Sequence, residues 1–129
     1  MPSPRHDSLN RLFRDRPELA AEILCDLYGV DLPEQAGARV EPNDFNTRPS
    51  DDFTPDTVIT VGPPQLPFLG IIVEIQQDKN DRKRAQLARY AAQLWLLLRR
   101  PVSVLVICPD QAVAQFFAEP LDTDLPGYT

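Results

Sequence analysis

A single histidine and two cysteines among 129 residues leave little material for a zinc site or a nucleophilic triad. His6 stands near a terminus, and Cys25 and Cys108 lack paired metal-ligand spacing. The two cysteines fall in what reads as a helix and a strand, where buried free thiols are common. No apolar run approaches the roughly 18 residues that a membrane span needs. The opening Met1-Pro2-Ser3-Pro4-Arg5-His6 has no signal-peptide core, so a cytoplasmic protein without a membrane partner is expected. Excess positive charge is missing too. The formal net charge of −6 argues against a protein that coats nucleic acid over its whole surface. Internal repeats are absent.

What is present is an ordinary globular composition, 43% hydrophobic and 25% charged, at the length of one domain. One domain over 1–129 is expected, with a polar tail at 121–129. Charge is unevenly spread. Lys79, Arg82, Lys83, Arg84, Arg89, Arg99 and Arg100 cluster in 79–100 against Asp81 alone, while 11 of the 19 acids lie between Asp15 and Asp56. A polarised molecule follows, with one basic helix and an acidic remainder.

Residues 7–15 read as a helix with Asp7 or Ser8 as cap and Leu9, Leu12 and Phe13 as its apolar stripe. A second helix is expected over 17–28, with Leu19, Ala20, Ile23, Leu24, Leu27 and Tyr28 at helical spacing and Gly29 as its left-handed terminator. Prolines 33, 42, 49, 55, 63, 64 and 67 then exclude helix up to residue 67. Within that stretch 38–41 reads as a short edge strand and 57–61, β-branched throughout, as a strand stopped by Gly62-Pro63-Pro64. Residues 68–76 are apolar almost to the end, the pattern of a strand covered on both faces, and pair with 57–61 as an antiparallel hairpin. A long helix is expected over 80–99, capped by Asn80 or Asp81. Its buried stripe reads as Ala88, Ala91, Leu94, Trp95 and Leu98, with Tyr90 at the core edge and Arg82, Gln86, Arg89 and Gln93 on another face. Residues 102–108 read as a second fully buried strand, parallel to 68–76 through a right-handed crossover, and Pro109-Asp110 opens a last helix to about 118.

Glu74 closes an otherwise apolar strand, where an ionised carboxylate is costly without a cation or a partner. The hairpin brings Asp56 to the same end, and two such carboxylates repel unless a divalent ion lies between them. The plainer readings stand beside this one. Asp56 also suits the start of a strand after Pro55, Glu74 also suits an ion pair with Arg82, Gln76 also suits a strand end, and the basic cluster also suits a solvated helix face.

Pro55-Asp56, seventeen residues, then Glu74-Ile75-Gln76, in the order helix, three strands, helix, strand, resembles the PD-(D/E)XK nuclease superfamily. Within it the chain is most similar to the recombination-promoting, transposase-like nucleases, through His6-Asp7-Ser8, residues 69–76, Asp81-Arg82-Lys83-Arg84 and Tyr90. The resemblance spans roughly 6–120 and implies an α/β, restriction-endonuclease-like core, a mixed central sheet flanked by helices. It implies that Asp56, Glu74 and the carbonyl of Ile75 hold Mg²⁺ (or Mn²⁺ or Ca²⁺), that Gln76 positions water, and that Lys79, Arg82, Lys83 and Arg89 meet the nucleic-acid backbone. Gln76 stands where the superfamily usually has lysine, and Lys79 or Lys83 at the helix start is the candidate to supply the missing charge. Glu18 and Glu22 are the candidates for a further acid from the helical N-terminal part. The implied activity is metal-dependent DNA endonuclease of low sequence specificity, acting as a homodimer in recombination. The alternative is a catalytically degenerate module that binds nucleic acid or mediates oligomerisation as the N-terminal part of a longer protein.

Overall fold

The computed structural model describes residues 4–33, 36–41 and 55–119; the expected tail at 121–129 lies outside them. Its elements are α1 (Pro4–Asp15), α2 (Glu18–Tyr28), β1 (Ala38–Glu41), β2 (Thr57–Val61), β3 (Leu69–Ile75), α3 (Asp81–Leu98), β4 (Val102–Ile107) and α4 (Gln111–Ala118). The strands form one mixed sheet in the order β1-β2-β3-β4. The β1/β2 and β2/β3 pairs are antiparallel and β3/β4 is parallel, as a crossover through α3 requires. The fold class is α/β. Among the described residues no helix is long and apolar enough to cross a membrane.

β3 is buried along its whole length because helices cover both faces. Ile71, Val73 and Ile75 meet Phe13, Ala20 and Leu24 of α1 and α2. On the opposite face Ile72 joins Val58, Leu87, Tyr90 and Leu94, with Phe117 of α4 packed against the same cluster. Gly70 lets α3 lie close: a Cβ there would stand 2.8 Å from Leu98 Cδ1 and 3.0 Å from Leu94 Cδ2. Local signals fix the helix ends. Gly29 terminates α2 at φ 68°, and the Asn80 side chain accepts from Lys83 N at 2.9 Å at the start of α3. Asp110 Oδ1 accepts from Ala112 N at 2.7 Å to open α4.

Four expectations need correction. α1 is already helical at Pro4, ahead of the expected cap at Asp7 or Ser8, and proline is tolerated there because a first turn needs no donor. Leu27 and Tyr28 end α2 on its exposed side. Trp95 is 48% exposed, with the Arg99 guanidinium 5.3 Å from its ring centroid, and the buried stripe of α3 is Leu87, Tyr90 and Leu94. The run Leu94-Trp95-Leu96-Leu97-Leu98 is apolar around the whole helix, so its periodicity does not say which side faces the sheet. β4 is an edge strand in which Leu105 alone is buried, rather than a fully covered one.

Candidate functional site

The register Thr57↔Val73 sets Asp56, just before β2, beside Glu74 on β3. Each carboxylate is held by the other residue's strand. Asp56 N donates to Glu74 Oε1 at 3.0 Å, and Ile75 N donates to Asp56 Oδ2 at 3.0 Å. The N–H and C=O of one strand residue point to the same side, so the Ile75 carbonyl also faces Asp56.

Glu74 is fully buried. Its second oxygen, Oε2, has no hydrogen-bond partner; Lys83 Nζ stands 3.3 Å away, an ion pair off the hydrogen-bonding angle. Loss of water pushes the Glu74 carboxyl up from 4.5 to about 7, and the neighbouring Asp56 charge adds to the rise while Lys83 opposes it. A buried carboxylate held by one hydrogen bond and one ion pair, beside a second carboxylate, is a costly arrangement.

Lys83 reaches Glu74 because the Asn80 cap sets the first turn of α3 at the carboxyl end of β3. Its ammonium also lies 5.3 Å from the centroid of the buried Tyr90 ring. Burial raises the Tyr90 hydroxyl above its ordinary value, and the Lys83 charge works against that rise. The partner of Glu74 is therefore Lys83, and Arg82 is corrected to an exposed position on the next face of the helix.

The N-terminal contribution is a further correction. Glu18 pairs with Arg16 at 3.8 Å and Glu22 is exposed on α2, while the residues that touch Asp56 and its neighbour come from α1. His6 Nε2 lies 3.1 Å from Asp56 Oδ2, Asn10 Oδ1 accepts from Thr57 Oγ1 at 2.5 Å, and Arg14 donates to the Asp56 carbonyl at 2.6 Å. These three recur every fourth residue and so share one helix face. That polar series, beside the apolar Leu9 and Phe13, is the signal in the sequence that a search for acids passes over.

Gln76 is half-buried and its N–H donates to Ile107 O at 2.9 Å. Lys79, Arg82 and Arg89 are exposed, the last two seven residues apart and hence on one side of α3. Among the described residues no group of three or more His, Cys, Asp and Glu side chains is placed to hold an ion, so a cation here would rest on Asp56, Glu74, the Ile75 carbonyl and oxygens from outside the chain. No family model, curated protein or solved structure matches the chain.

Proposed function

We propose that the chain has a restriction-endonuclease-like core and is a metal-dependent endonuclease acting on DNA with low sequence specificity. The observation that carries this reading is the fully buried Glu74 carboxylate beside Asp56, whose Oε2 makes no hydrogen bond and is held only by the Lys83 ion pair. Asp56 Oδ2 takes both Ile75 N and His6. Two adjacent carboxylates with the Ile75 carbonyl on the same side are a donor set of the hard oxygens that Mg²⁺ or Mn²⁺ prefers. A bound ion there supplies Lewis acidity and a water of lowered pKa for attack on a phosphodiester.

The chain's own groups have separable tasks. His6, Asn10 and Arg14 fix the start of β2 and so hold Asp56 in place. Lys83 brings an ammonium to within 3.3 Å of Glu74 and supplies the charge that Gln76 lacks. The Gln76 amide orients water, and Lys79, Arg82 and Arg89 lie on solvent-facing positions suited to phosphate oxygens. The experiment is supercoiled-plasmid cleavage with Mg²⁺, Mn²⁺, Ca²⁺ or EDTA, for wild type, Asp56→Ala and Glu74→Ala. Metal-dependent nicking lost in both variants is the expected result.

The Lys83–Glu74 pair favours a second reading, because it supplies a counter-charge without an ion. A catalytically degenerate, nucleic-acid-binding module then follows. DNA binding that persists in EDTA and in Asp56→Ala, with no cleavage by folded wild-type protein, selects it.

A further inference from the structure

The sheet has two outer edges, and they are built differently. Among the described residues β1 spans Ala38–Glu41 and carries Arg39 and Glu41, which pair at 2.6 Å. Charge is a usual protection of an edge against pairing with another chain. β4 is six residues, Val-Ser-Val-Leu-Val-Ile, with no charge and no proline. Among the described residues no strand pairs with its outer side.

The groups left open on that side follow from the ladder. Gly70 N donates to Pro101 O at 2.9 Å and Gln76 N donates to Ile107 O at 2.9 Å. In a parallel pair alternate residues turn both backbone groups toward the partner, so residues 101, 103, 105 and 107 face β3. Val102, Val104 and Val106 therefore present their N–H and C=O outward. Both flanking prolines, Pro101 and Pro109, fall at positions where no outward donor is needed. A groove of about 670 Å³ runs along this edge, with Ser103 to Val106 as its floor, Leu24 and Tyr28 on one wall and Phe117 on the other. Lining by consecutive strand residues means that it is open to the edge itself rather than to one face of the sheet.

We infer that the outer edge of β4 is the seat of β4 from a second copy of this chain, paired antiparallel about a twofold axis at Leu105. Antiparallel pairing sets side chains of like orientation opposite each other, so the axis passes through a residue and not between two. With Leu105 opposite its own copy, Val104 and Val106 exchange hydrogen bonds across the axis. Antiparallel pairing also brings the end of β4 that follows Arg100 beside the end of the copy that leads into Asp110. Arg100 is exposed and makes no ion pair with a described residue. Asp110 is exposed, with Oδ1 engaged in capping α4. The edge is thus complementary to itself in hydrogen bonding, apolar surface and charge. This inference is independent of the proposed nuclease activity.

The test is sedimentation of the full chain over a range of concentrations, with backbone amide exchange followed in parallel. A concentration-dependent dimer is expected, in which the Val104 and Val106 amides slow as the dimer fills while those of Ser103 and Leu105 do not change. Arg100→Asp sets acid against acid and weakens the dimer about tenfold; adding Asp110→Arg restores it. Val104→Pro removes an outward donor without touching the ladder to β3 and abolishes the dimer in protein that keeps its circular dichroism. A monomer at every concentration overturns the inference. A dimer in which the Val104 amide exchanges freely, or one indifferent to Arg100→Asp, overturns it as well, whether or not Val104→Pro folds.

Discussion

At the carboxyl end of β3 a glutamate is sealed from water with one oxygen held only by an ion pair, while along the outer edge of β4 half-buried valines flank backbone groups that no strand pairs with among the described residues. The first takes from water a group that water favours, and the second leaves the backbone of an apolar strand open at an edge. Both depart from the ordinary partition of a folded chain, in opposite senses and at neighbouring strands. The comparison sets the proposed cation site against the inferred edge for a second chain, two regions that substitution can test separately.

The largest effect that would break the comparison is on cleavage. Asp56→Ala and Glu74→Ala are each expected to lower the cleavage rate by ~100-fold or more, since each removes a carboxylate from the proposed ion site. Val104→Pro leaves single-turnover nicking per folded chain within about twofold, because the β4 edge lies outside the carboxylate pair. A plasmid-nicking time course reads both, and equal loss in all three variants would merge the two regions into one.

Stability against pH sharpens the difference next. The folded chain holds a proton on Glu74 up to about 7, whereas the unfolded chain releases it near 4.5. Between those values the folded state binds more protons, so its stability falls as pH rises through the window. Glu74→Gln keeps an acceptor for Asp56 N and removes this slope. Urea unfolding in a chelating buffer is expected to show the variant gaining roughly 2–3 kcal/mol on wild type between pH 5 and pH 8. A wild-type curve that rises with pH across this window would contradict the burial of the charge.

Lys83→Met comes third. It leaves the Glu74 charge without its neighbour and is expected to cost about 1–3 kcal/mol at pH 8 and less at pH 5, where Glu74 takes up a proton instead. Thermal unfolding at the two pH values checks the contrast. The smallest effect is at Trp95, where Trp95→Ser changes stability by under about 1 kcal/mol because the ring is half exposed. A loss of several kcal/mol would return Trp95 to the core.

Much of this was legible in the sequence where one local rule governs one residue. Pro-Asp before a β-branched run, the hairpin through Gly62-Pro63-Pro64, Gly29 after α2 and Asn80 before α3 each stand where the sequence places them. The carboxylate pair was also legible, because a hairpin of known length brings Asp56 and Glu74 to one end. What failed depends on rotation and distance. Lys83 and Arg82 differ by one helical step, which decides whether a cation enters the core or the solvent, and an apolar run does not set that step. His6 lies fifty residues from Asp56 and meets it only through the packing of α1 on β2. The exposure of β4 depends on there being no described strand beyond it, which an apolar strand pattern does not reveal.

The most direct measurement of the central claim is titration of metal-free protein with Mn²⁺, followed by calorimetry and by the electron spin resonance of the free ion, for wild type, Asp56→Asn and Glu74→Gln. One Mn²⁺ per chain, competed by Mg²⁺ and lost in both variants, is the predicted result. Absence of binding, or binding of equal strength in all three proteins, would show that the buried Glu74 carboxylate answers to Lys83 alone and would contradict the account.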